Sequence, residues 1–161
     1  MNIFVLDTDP EQCARDHCDK HVVKMILESA QLLSTAHHVL GNRAGPNIYK
    51  RTHVNHPCAK WVRGNAARYR WLYRLFASLC REYTARYGKR HASERLLYPL
   101  TKLPRDIPNT CEPYKVDGFV LAMPDEYKDY SSATKSYRAY YMGEKQAIAM
   151  WAHSERPDWW R

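Results

Sequence analysis

The sequence predicts an all-α fold: a compact single-domain helical fold with a short extended N-terminal arm and a long Pro-rich loop before the last helix. Two observations carry that expectation. Apolar residues recur at steps of three and four over residues 20–40 and again over 57–87, the helical period. Only Asn2–Leu6 is apolar, short, and β-branched or aromatic in the manner of a strand, and no second segment of that quality follows. A chain of 161 residues suits one domain with its own core.

The elements follow in order. Asn2–Leu6 reads as a short strand or a buried extended arm. Asp9-Pro10-Glu11-Gln12 supplies a capping Asp, a Pro for the first helical position and a Gln three residues on. A helix starts there, with a break or new cap at Asp19, runs to about Leu40 and stops at Gly41. Gly41, Asn42, Gly45, Pro46 and Asn47 mark a loop over 41–55. Asn55-His56-Pro57 opens the longest helix, which Gly88 ends. A short helix is expected around Ala92 to Tyr98. Pro99, Pro104, Pro108, Pro113 and Pro124 make 99–130 a long loop, and loops of that length are often functional. The last helix starts near Ser131 or Ser132 and runs to about Trp151. The tail Pro157-Asp158-Trp159-Trp160 folds back onto the body.

Composition narrows the function classes. The hydrophobic fraction is 45%, which argues against disorder. Net charge is +8 with a pI near 9.3, so the partner is polyanionic: nucleic acid first, an anionic membrane surface second. No apolar run is long enough to span a bilayer, and Asp7 and Asp9 interrupt the apolar start, so no signal peptide is read. The five cysteines are odd in number and irregularly spaced, with no Cys-x-x-Cys. Reduced thiols in a cytoplasmic setting are expected.

The chemistry concentrates on the first long helix. On a wheel of about 100° per residue, His21, Lys24, Glu28, Gln31, Thr35 and His38 share one narrow arc. Met25 and Leu32 flank it, and Val23, Ile26, Leu27, Ala30, Leu33 and His37 lie opposite. The expectation is a helix buried nearly all round, its polar stripe lining a cleft. A carboxylate beside Lys24 and His21 is suited to acid–base work or to stabilising a developing cation. The plainer alternative is an i,i+4 surface pair between Lys24 and Glu28, worth about 0.3–0.5 kcal/mol.

On the second helix, Lys60, Arg63, Arg70, Arg74 and Arg81 align along one face. Residues 60–90 contain nine Lys or Arg and one acid, Glu82. Such a stripe suits a phosphate backbone, and a merely solvated face usually mixes signs. Tyr137, Tyr141, Arg138 and Lys128 are candidates for stacking on unpaired bases or holding backbone, core packing being the alternative for the tyrosines. His53 and His56 have a spacing open to a metal. The preferred reading is helix capping for His56, and a hydrogen bond or phosphate contact for His53.

The segments Asp19-Lys20-His21-Val22-Val23-Lys24-Met25, Asn55-His56-Pro57, Ala122-Met123-Pro124-Asp125-Glu126-Tyr127-Lys128 and Tyr137-Arg138-Ala139-Tyr140-Tyr141 resemble a family of small proteins common in tailed-phage genomes, which implies a phage source. A second resemblance carries mechanism. Asp19, His21 and Glu28 match the spacing of the Asp-x-His and catalytic Glu in the phage pyrimidine-dimer DNA glycosylase/AP lyase family. Residues His56 to Gly88 look like that family's aromatic, basic second helix, and Arg156-Pro157-Asp158-Trp159-Trp160 fits its C-terminus.

That resemblance implies a compact all-α fold and an N-terminal α-amine that attacks the sugar C1′. Two positions depart from the pattern. Residue 2 is Asn rather than a small residue, so the amine of Met1 would serve, with Lys24 as the substitute. Leu27 stands where the family has a basic residue before its Glu.

The expected function is therefore a DNA glycosylase, possessing or lacking lyase activity, on a damaged or modified pyrimidine. Its catalytic set is Glu28, Met1, Lys24 and His21. It needs no cofactor and no metal, binds double-stranded or locally unpaired DNA, avoids membranes, and works as a monomer in the cytoplasm of a phage-infected bacterium. Two competing classes remain open: a metal-dependent nuclease or phosphohydrolase using His21, His53 and His56, and a non-catalytic phage nucleic-acid or counter-defence binding protein.

Overall fold

In the computed structural model, which describes residues 1–109 and 116–161, the apolar arm is extended and buried. Ile3, Phe4, Val5 and Leu6 are all at most 6% exposed. It is an arm and not a strand, since no β-strand occurs among the described residues. Burial of each such side chain stabilises the fold by about 1.5–3 kcal/mol, enough to hold an arm without a ladder partner. Cys111 and Pro113 of the Pro-rich loop lie outside the described residues.

Helix α1 spans Pro10–Asp16. Asp9 accepts from the Gln12 N–H at 3.0 Å, and Pro10 fills the first turn. The helix breaks at His17 and Cys18, and α2 runs Asp19–Val39 before Gly41 turns the chain at φ +85°. No side chain caps α2. The C-terminal segment does so instead: the Asp19 N–H donates to the Met150 carbonyl at 2.8 Å, and the Asp19 carboxylate accepts from the Ala152 N–H at 2.7 Å.

The predicted long helix over 57–87 is two helices, α3 (Pro57–Val62) and α4 (Ala66–Tyr87). Asn65 accepts from the Arg68 N–H and so restarts the helix, and at Gly64 an added Cβ would meet the Arg68 guanidinium at 2.9 Å. The three-and-four spacing continues across the joint, which hid the break. Gly88 ends α4 at φ +66°. A 3₁₀ turn, Ala92–Leu96, leads into the short α5, Leu97–Leu100. A second 3₁₀ turn, Asp125–Tyr127, precedes α6, Ala133–Glu144. The expectation that this helix reaches Trp151 fails, because residues 145–151 leave it to cap α2. The tail folds back: Trp159 Nε1–H donates to Asp16 at 2.7 Å, and Trp160 packs on Trp151.

α2 and α1 both pack on α4, and one apolar cluster runs from Ile3 to Tyr141. Arg86 locks the α1–α2 junction to α4. Its side chain is 1% exposed, and it donates to the His17 and Arg15 carbonyls, Asp19 and Glu82. A buried cation fully supplied with acceptors in this way avoids the penalty of an unpaired charge. No described helix is long and apolar enough to cross a membrane.

Candidate active site

Packing α2 against α4 leaves Lys20, Val23, Lys24 and Leu27 on its open side, with Val23 and Leu27 each 38% exposed. The expected all-round burial therefore does not occur. Glu28 sits at the margin between this open side and the core, its side chain 13% exposed. That margin is where the N-terminal arm arrives. The Asn2 N–H donates to Glu28 Oε2 at 2.8 Å, and the Met1 amine lies 4.0 Å from the same oxygen. Lys24 Nζ lies 3.6 Å from Oε1 and is 64% exposed. One carboxylate thus faces two amines, one on each oxygen.

The arm is held in place by the Asn2 side chain. Its Nδ2 donates to the Ala122 carbonyl at 3.0 Å. Its Oδ1 accepts from the Ile3 N–H at 2.7 Å and lies 2.9 Å from the Tyr137 hydroxyl and 3.7 Å from Cys58 Sγ. The Met1 side chain is 4% exposed, so the residue is anchored while its amine faces Glu28. Burial pushes the Cys58 thiol up to about 11, which leaves it protonated and a poor nucleophile near neutrality. Sequence reasoning missed Asn2 as a clamp. Its signal was a polar residue opening a wholly apolar run.

His21 is not part of this constellation. It shares an arc with Glu28 but lies seven residues earlier, about 10 Å along the helix. Its ring stacks on Phe4 at 4.6 Å, and its Nδ1 bonds the Tyr141 hydroxyl. Burial drives its pKa down to about 3, so it is a neutral core group supporting the arm from beneath.

Several predicted DNA contacts are corrected for the same kind of reason. Tyr137 and Tyr141 are fully buried, so neither is available to stack on a base. Arg138 is a structural clamp: Nε donates to the Leu6 carbonyl, the guanidinium pairs with Asp7 at 3.2 Å, and it lies over the Trp159 ring. Lys128 is paired with Asp125 at 2.6 Å. Arg63 donates to the Val54 carbonyl at 2.7 Å and so braces the loop before α3.

The basic stripe is also less uniform than expected. Arg74 lies 3.5 Å from Asp9 and Arg81 lies 3.6 Å from Glu11, acids supplied by the start of α1. Lys60 and Arg70 are exposed and have no ion pair among the described residues. Arg70 and Arg74 border a cavity of about 470 Å³ whose floor includes Trp71 and Phe119. A larger cavity, about 710 Å³, lies by Asp16, Arg138 and Trp159 and does not include Glu28. His21, His53 and His56 do not converge: no group of three His, Cys, Asp or Glu suited to a metal occurs among the described residues.

These features define an all-α protein in which an N-terminal amine is delivered to a carboxylate on the first long helix. A family model for pyrimidine dimer DNA glycosylase matches residues 1–95, more than half of the chain, and the protein belongs to that family. The match covers the arm and α1 to α4, hence Met1, Lys24 and Glu28. Membership supports glycosylase-type chemistry on a DNA substrate at the level of the family. No curated protein and no solved structure matched the chain.

Proposed function

We propose that the protein is a DNA glycosylase with lyase activity on a damaged or modified pyrimidine, using the Met1 amine as nucleophile and Glu28 as the charged and proton-handling group. The observation that supports this reading best is the Met1 amine 4.0 Å from Glu28 Oε2, with the Asn2 N–H holding that oxygen at 2.8 Å. The amine lone pair attacks the sugar C1′, and the C1′–N bond breaks with its electron pair leaving on the base. The base takes up a proton, the amine gives one up through Glu28, and ring opening leaves an imine between Met1 and C1′. Removal of a C2′ proton then expels the 3′ phosphate and cleaves the strand. The anionic Glu28 also stabilises positive charge that develops on the sugar. The target nucleotide must leave the stack to reach such a centre.

Lys24 carries a second version of the same chemistry, since its amine lies 3.6 Å from the other carboxylate oxygen. Borohydride reduction during turnover separates the two. With duplexes carrying different pyrimidine lesions, a trapped adduct should map to the N-terminal peptide. An adduct on the peptide containing Lys24 would move the nucleophile, and no adduct on any lesion would remove the lyase.

A further inference from the structure

The loop before α3 is built for more than connection. His53 holds φ +47°, a left-handed conformation rarely adopted by a non-glycine residue. The turn is fixed on all sides. Thr52 exchanges hydrogen bonds with Thr35 Oγ1 through its N–H and its carbonyl, Arg63 holds the Val54 carbonyl, and the His56 N–H donates to the His53 carbonyl at 2.9 Å. The loop ends against the N-terminal arm. His56 Nδ1 accepts from the Cys58 N–H at 3.1 Å, and Cys58 Sγ lies 3.7 Å from Asn2 Oδ1. Desolvation lowers the His56 pKa, the terminal ammonium and His53 lower it further, and Glu28 opposes them.

The Cys58 N–H decides the tautomer. A ring nitrogen that accepts cannot carry the proton, so neutral His56 carries it on Nε2 and presents a donor there. His56 is half-buried, His53 and Asn55 beside it are exposed, and Lys60 follows one turn later on the same side of α3. His53 is exposed, and its Nδ1 is engaged by the Thr52 hydroxyl at 2.6 Å. His56 is thus linked to the amine–carboxylate pair through Cys58, whose N–H it accepts and whose Sγ lies against the Asn2 side chain, and Asn2 in turn holds Glu28.

Resting on the glycosylase reading, we propose that His56 is a substrate-binding residue whose Nε2–H donates to a backbone phosphate oxygen flanking the nucleotide at the Met1 amine. As a neutral donor it adds affinity for the reacting nucleotide without releasing a counterion, so it acts differently from Lys60 or Arg70.

Two isosteric variants separate this role from helix capping. In His56→Asn the side-chain oxygen takes the place of Nδ1, which keeps the cap and removes the Nε2 donor. In His56→Gln the amide NH₂ takes the place of Nε2, which keeps the donor and removes the cap. Dissociation constants for an undamaged duplex and for the same duplex with one tetrahydrofuran abasic analogue are measured over a range of salt, with thermal melts of each protein.

The expected result is a wild-type preference for the abasic duplex. His56→Asn lowers that preference about tenfold, the scale of one hydrogen bond to a charged group, while Tm and salt slope stay unchanged. His56→Gln keeps most of the preference with a lower Tm. If His56→Asn keeps the full preference, His56 is only a cap and the inference is overturned. If the wild type shows no preference and no borohydride adduct, the glycosylase reading fails first and takes the inference with it.

Discussion

The Asn2 backbone N–H donates to Glu28 Oε2 at 2.8 Å, so the carboxylate facing the terminal amine is oriented by the residue next to that amine. The terminal amine and the carboxylate are thereby tied by a single peptide unit. Replacement of Glu28 by Gln keeps an oxygen able to accept from the Asn2 N–H and removes the charge and the titratable proton. Turnover on a pyrimidine lesion should fall by about 10²–10⁴-fold, while Tm and DNA affinity change little. Wild-type single-turnover rates in the Glu28→Gln variant would remove Glu28 from the chemistry.

The ion pairs of α4 sort its arginines. Arg74 and Arg81 are partly neutralised by Asp9 and Glu11, whereas Arg70 has no ion pair among the described residues. Arg70→Gln should lower the log–log salt slope of DNA binding by about 0.9, one phosphate's worth. Arg74→Gln should change it less, and Arg63→Gln should leave the slope alone while loosening the loop that Arg63 braces at Val54. Equal slope changes for Arg70 and Arg74 would mean that DNA displaces the acids of α1.

The arrangement of α2 shows what sequence could and could not reveal. Glu28 was legible because its spacing from Asp19 and His21 is a local pattern. The partition of the wheel was not, because which face is buried depends on where α4 and the arm lie. Thr35 is buried and Val23 half-open for that reason alone. Tyr137 and Tyr141 mislead in the same way: Arg138 between them suggests an exposed surface, yet it is drawn inward by the Leu6 carbonyl and Asp7. The acids that pair with Arg74 and Arg81, Asp9 and Glu11, lie 65 and 70 residues earlier in the chain, beyond the reach of any pattern within the helix.

Acid should destabilise this fold through three buried histidines, His17, His21 and His37, the last lowered by burial to about 4. Burial lowers His17 to about 4 and His21 to about 3, from an ordinary value near 6.5. His17 donates from Nδ1 to the Cys13 carbonyl, and its Nε2 has no partner among the described residues, which suits the neutral form. All three groups bind protons in the unfolded chain first. Their contribution is complete above pH 6.5 and is lost as pH falls toward 4 and 3, each with a limiting slope of about 1.4 kcal/mol per pH unit. Denaturant melts at pH 7 and pH 5 should differ accordingly, and His21→Phe should remove one proton from the slope. Identical stability at the two pH values would contradict the burial of these rings.

The position of the amine makes the sharpest demand. The Met1 side chain is 4% exposed and its nitrogen lies 4.0 Å from Glu28 Oε2, so the residue is anchored by its side chain and presents its terminus to the carboxylate. Extending the chain by two residues, Gly-Ser, before Met1 converts that amine to an amide. An amide nitrogen has no available lone pair for C1′ and forms no imine. The new α-amine would sit on a flexible dipeptide, where loss of fixed geometry forfeits much of the advantage of proximity. The buried contacts of Met1 and the Asn2 hydrogen bonds remain possible, so folding and DNA affinity should persist. Borohydride trapping and strand cleavage should fall by at least two orders of magnitude and return when a protease trims the extension to leave Met1 first. Full trapping by the extended chain, mapped to Lys24, would instead assign the imine to the second amine that Glu28 holds.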